Sequence, residues 1–177
     1  MKRILFVLAL LPVLLAAACT KVDDDTPTTP LDELPPATQV GANTFGCLIN
    51  GEPWYNRGGQ FNDPDVSAGY GNNFLSVYGR AIDPFISDKY DRINITFHNP
   101  SVGNSSPIPG WNLPFRLTYE DYVFYRLDTL SRITQSLTRF DLDMQIASGT
   151  FAFTAINDEL TDTLVVTNGR FDVEIVR

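Results

Sequence analysis

Histidine is nearly missing from this chain, with one copy among 177 residues, and cysteine occurs only twice. So small a supply excludes a structural zinc site, and two cysteines cannot build a disulfide framework. Basic residues are short as well: 13 Lys and Arg against 21 Asp and Glu leave a formal charge of -8. No positive field exists to draw in nucleic acid, so none is expected as a partner. The nucleophile elbow of the hydrolases, Gly-x-Ser-x-Gly, does not occur. His98 sits at the outward phase of an alternating run beside Asn99-Pro100 and reads as a surface residue. The expectation is no metal, no cofactor and no enzyme.

Long apolar runs are also scarce. The one near the start, Ile4 to Leu15, has twelve residues with a proline inside it, too few to cross a hydrocarbon core of about 30 Å. It follows the basic pair Lys2-Arg3 and precedes the small residues Ala16-Ala17-Ala18, the layout of a secretory signal. Cys19 stands directly after those small residues.

Leu14-Leu15-Ala16-Ala17-Ala18-Cys19 resembles the lipobox of bacterial lipoproteins, with Ala16 where leucine is usual and Leu15 one place upstream. That resemblance implies cleavage after residue 18, a diacylglyceryl group on the Cys19 thiol and acylation of the new amino terminus. Each buried methylene contributes about 0.8 kcal/mol, so several acyl chains anchor a protein where one does not. Lys21-Val22-Asp23-Asp24-Asp25 looks like the lysine-plus-acid export signal of Bacteroidota surface lipoproteins. It implies an address on the outer membrane, surface-exposed, with the periplasmic face as the alternative.

Residues 20–40 hold four prolines, five threonines and five acids, a composition that cannot bury enough apolar surface to fold. Residues 19–40 are therefore expected to be the lipidated cysteine and a disordered tether. As a coil the tether reaches about 25 Å, and extended about 65 Å. Residues 41–177 are expected to form a single domain, with 10 bases against 16 acids. If Cys19 is acylated, Cys47 has no partner inside the chain, and its apolar neighbours suit a buried thiol.

Within the domain the hydrophobic period is two, which predicts strands. Ile93, Ile95 and Phe97 alternate with polar residues, and Phe140, Leu142, Met144 and Ile146 do the same over 139–146. After Ser148-Gly149, a bulge, bend or tight turn, alternation resumes over 151–156. Further strands are predicted at 44–49, 74–78, 115–119, 122–127, 163–167 and 170–176, and a single helical turn at 131–138. Asn50-Gly51 and Asn168-Gly169 have the residues of type I′ hairpin turns. About eight short strands imply an all-β fold, an antiparallel β-sandwich or flattened barrel.

Three segments, Gly46 to Trp54, Ser148 to Ala155 and Thr167 to Val173, resemble a family of uncharacterised Bacteroidota lipoproteins of about this length. The resemblance implies an all-β domain at the surface, and the family has no assigned activity to carry over.

Candidate site residues are few. Trp111, in the stiff Pro107–Pro114 loop, and Trp54, after Asn50-Gly51, could stack on a sugar ring, or cap the ends of the sandwich. Asp141 and Asp143 share a predicted strand face about 7 Å apart, the only pairing that suggests a glycosidase. Residues 62–74 and the acids Asp158, Glu159 and Asp162 are weak imitations of calcium loops. Thr129 and Thr163 lie in Asp-Thr-Leu triplets similar to the O-glycosylation signal of exported Bacteroidota proteins. The leading expectation is a non-enzymatic, lipid-anchored β domain that binds or assembles. A glycan-binding module, a hydrolase and a hollow-barrel carrier are the alternatives.

Overall fold

The computed structural model describes residues 29–56, 65–82, 90–104, 114–117, 122–128 and 130–176. These form eleven strands and no helix among the described residues: β1 Thr44–Ile49, β2 Glu52–Tyr55, β3 Val66–Gly71, β4 Phe74–Ile82, β5 Tyr90–His98 and β6 Gly103–Asn104, then β7 Pro114–Leu117, β8 Tyr122–Leu127, β9 Thr134–Asp141, β10 Ile146–Asn157 and β11 Thr163–Val176. The all-β, sandwich-like class is as expected. One sheet runs β2-β1-β11-β10-β9-β6, and the second runs β3-β4-β5-β7-β8.

Two strands join the sheets at their corners. The first half of β8 pairs with β7 and its second half with the end of β10. The last residues of β11, Ile175 and Val176, pair with Ala68 and Gly69 of β3 in parallel. That parallel pairing makes the arrangement mixed rather than wholly antiparallel.

Local chemistry accounts for the tight hairpins. Asn50 and Gly51 have φ of 52° and 89°, and they join β1 to β2 with Ile49 opposite Glu52. Asn72 and Asn73 have φ of 50° and 63° and join β3 to β4. Asparagine and glycine are the residues that tolerate the positive φ such turns need.

Asn168-Gly169, by contrast, is not a hairpin. β11 continues through it, and both neighbours skip a residue there: Phe151 and Phe153 of β10 oppose Gly169 and Val166, while Gly46 and Leu48 of β1 oppose Arg170 and Thr167. Asn168, at φ 53°, is the extra residue of a bulge. The sequence of a hairpin turn and that of a bulge coincide here, and pairing on both flanks decides between them. Gly169 cannot carry a side chain, since a Cβ would lie 2.4 Å from the Phe151 ring.

The run 139–146 is also corrected. β9 ends at Asp141, whose Oδ1 accepts the N–H groups of Asp143 and Met144 at 3.1 and 2.9 Å and so starts a turn. Gln145 closes that turn at φ 57°, and Met144 is exposed. Residues 134–138, read as helical, lie in β9. Ser148-Gly149 does mark a bulge, but the extra residue, Thr138, is on the partner strand.

The core lies between the sheets. Phe45, Phe151 and Phe171 from the first sheet meet Phe97 from the second, with Phe45–Phe151 at 5.1 Å and Phe97–Phe171 at 5.9 Å. Leu75, Val77, Ile93, Ile95 and Val173 complete it. The sheets approach so closely that a Cβ on Gly79 would fall 2.5 Å from Phe45. The interior at this point is filled with rings.

Candidate binding groove beside the N-terminal strap

Residues 29–43 were expected to divide between a disordered tether and the start of the domain. Instead they cross the outer face of the first sheet as a strap. The strap begins with a turn in which the Asp32 carboxylate accepts both the N–H and the hydroxyl of Thr29, at 3.0 and 2.9 Å. Leu34 follows and is buried. Pro35 then lies on β1 at Gly46, where a Cβ would be 2.8 Å from the proline Cδ. A proline-rich segment loses little chain entropy on docking, because its φ angles are already fixed.

The end of the strap is held by one carboxylate. Asp172 of β11 accepts the Thr38 hydroxyl at 2.6 Å and the N–H groups of Val40, Gly41 and Ala42 at 2.9, 2.9 and 3.2 Å. The Ser148 hydroxyl, from the facing residue of β10, donates a fifth bond at 2.7 Å. The Asp172 side chain points out of the sheet, yet its residue is 1% exposed because the strap covers it. Burial alone would raise its pKa; the bonds from Thr38, Val40, Gly41 and Ser148 outweigh that and hold it at about 2. Two arginines also hold the strap. Arg139 donates to the Gln39 carbonyl at 2.5 Å and Arg170 to the Leu31 carbonyl at 3.3 Å.

Between strap and sheet lies an open groove of about 380 Å³. Leu31 and Ala37 of the strap form one wall, and Thr134, Thr150, Asn168 and Arg170 supply polar groups from β9, β10 and β11. Thr150 and Arg170 are direct cross-strand partners. Asn168, the extra residue of the bulge, is exposed and lines the groove. A second depression, of about 340 Å³, is lined by Asn43, Asn56, Asp65, Ser67 and Glu174 among others. Its two asparagines are already used inside the fold: Asn43 accepts Glu174 N–H and Asn56 accepts Phe45 N–H, each at 2.9 Å.

The residues singled out by sequence fare differently. Cys19, Trp111 and Thr129 lie outside the described residues. Trp54 is not on a loop: it is in β2, 8% exposed, with its ring edge-on to Phe45 at 5.9 Å. A ring buried in the core offers no face to a sugar, so the stacking role expected for it is withdrawn. Thr163 is exposed at the first position of β11, its N–H held by Asp162 at 2.8 Å.

Asp141 and Asp143 do not share a strand face. Asp141 is paired with Arg139 at 2.9 Å and caps the turn in which Asp143 lies exposed. The Met144 N–H, then Arg139, holds the Asp141 carboxyl below the usual carboxylate range. His98 is exposed at the end of β5 and stacks on Phe74 at 4.8 Å. Cys47 is buried, and burial pushes its thiol pKa far up.

Residues 62–64 of the first calcium imitation lie outside the described residues. Residues 66–71 are strand β3, and the 158–162 turn is organised by Asn157, which accepts the N–H groups of Thr161 and Asp162. Among the described residues no three His, Cys, Asp or Glu side chains come together as a metal site would require.

Sequence reasoning missed Asp172, Arg170 and the strap. Asp172 and Glu174 alternate with apolar neighbours in the same way, and only the covering segment distinguishes them. No protein-family profile, curated protein or solved structure matches the chain.

Proposed function

We propose that this chain is a lipid-anchored cell-envelope domain with a non-enzymatic role in binding or assembly, held at the outer membrane through Cys19 and exposed at the surface. The observation that carries the reading is the placement of Cys19 directly after an apolar run and three alanines. The strap adds a spatial consequence. With residues 29–42 docked, ten peptide units separate Cys19 from Thr29, a covalent reach of at most about 35 Å. The domain then works close to the lipid surface, not at the end of a leash about 65 Å long. Support for a binding role comes from the groove, which gathers polar side chains from three strands beside an apolar wall from the strap.

Metabolic labelling with an alkynyl fatty acid tests the anchor. Wild type should take up label and partition with membranes, and Cys19→Ala should lose both. Membrane partition retained by Cys19→Ala, or a mature chain starting elsewhere than residue 19, would overturn it. Protease treatment of intact cells tests exposure, since only a surface protein is cleaved without breaking the outer membrane.

Glycan binding is the second reading. Trp54 gives it no support, and the observation favouring it is the set of uncommitted donors around Arg170.

A further inference from the structure

Arg170 differs from the described arginines that hold an ion pair. Arg139 pairs with Asp141, Arg80 with Asp65 and Arg126 with Asp158. Arg92 lies over the Tyr78 ring at 4.8 Å. Arg170, half-buried, has no carboxylate among the described residues; its one bond to a described residue is that to Leu31, and its Nε, like that of Arg92, is buried without a hydrogen-bond partner. A guanidinium carries five N–H donors, and withdrawing it from water without an anion is costly.

The groove around it is unsatisfied in the same way. The hydroxyls of Thr134 and Thr150 and the amide of Asn168 are exposed and make no hydrogen bond to described residues. They line one groove from neighbouring strands, together with Leu31 and Ala37 of the strap. This is a planar fork for a carboxylate, hydroxyl and amide groups for neighbouring hydroxyls, and a hydrocarbon wall for C–H groups.

We infer that the Arg170 groove binds a carboxylated sugar residue, a hexuronic acid, with the carboxylate on Arg170 and ring hydroxyls on Thr150, Thr134 and Asn168. The groove volume is at the small end of ligand sites and suits a single sugar ring within a longer chain. A positive fork on a chain of net charge -8 also gives selectivity. The attraction between this guanidinium and an anion is electrostatic, so binding weakens as salt is added. This deepens the binding reading above and is independent of the anchor, since its test does not use lipidation.

The experiment is an NMR or calorimetric titration of the purified full chain with D-glucuronate, its methyl ester, and inorganic phosphate. Glucuronate should bind about tenfold more tightly than the uncharged ester and more tightly than phosphate. Arg170→Gln should weaken glucuronate about tenfold. Because that change also removes the bond to Leu31, Thr150→Val is the second variant; it leaves the strap contact alone and should weaken binding about threefold. No glucuronate binding up to about 50 mM, equal binding of the ester, or wild-type affinity in both variants would overturn the site. Phosphate binding as tightly as glucuronate would overturn the sugar assignment.

Discussion

The hydroxyl of Thr38 lies 2.6 Å from the Asp172 carboxylate, across 134 residues of sequence. The contact joins a segment with the composition of a linker to the last strand of the fold. Around it, three successive amides of the strap point at the same two oxygens. Backbone N–H groups gathered in this way form an anion-binding concavity, and here the anion belongs to the protein itself.

Replacing Asp172 by Asn tests this arrangement at the scale of one atom. The Asn amide nitrogen is a donor and would face N–H groups that need an acceptor. Unsatisfied buried donors and the loss of charge-assisted bonds should cost about 2–4 kcal/mol in urea unfolding. Asp172→Asn within about 0.5 kcal/mol of wild type would show that the strap contributes nothing to the fold.

Acid should have a related effect. The folded carboxyl of Asp172 titrates at about 2, against about 3.9 in an unfolded chain. A depressed folded value means that the stabilisation is present above the unfolded pKa and is lost as pH falls from about 4 towards 2. The amount is about 2 kcal/mol for this group. Asp128, bonded by the Ser131 hydroxyl, and Asp141, bonded by the Met144 amide, are also lowered and add to the acid loss. Urea midpoints of wild type and Asp172→Asn, measured from pH 6 to pH 2, should converge at the acidic end. A constant difference would contradict the assignment.

Gly46→Ala probes the other end of the strap. The added methyl would meet the Pro35 ring at 2.8 Å and the Cβ of Tyr55 at 3.2 Å. The strap is the element able to move away. Limited proteolysis should then cut within 29–36 in the variant and not in wild type, with a stability loss of about 1 kcal/mol. Equal cleavage of both proteins would mean that Pro35 does not lie on Gly46.

Much of the sheet was legible because burial on one face imposes a period of two. The predicted ends of β1 and β8 match the observed ones, and Asn50-Gly51 turns as its residues require. Asn168-Gly169 was misread for a physical reason: positive φ serves a hairpin and a bulge equally, and distant strands choose between them. The strap was illegible for another. Its attachment uses backbone amides and carbonyls, the Thr38 hydroxyl and a single buried leucine, and these leave no period in side-chain polarity. The groove shares that difficulty, since Thr134, Thr150 and Arg170 become neighbours only through strand pairing.

Hydrogen exchange at the amides of Val40, Gly41 and Ala42 tests the central claim most directly. Bonded to a buried carboxylate, they should exchange as slowly as the amides of β10 and β11 in wild type and lose that protection selectively in Asp172→Asn. Exchange of these three amides at the rate of an unstructured peptide in the wild-type chain would contradict the docked strap, and with it one wall of the groove.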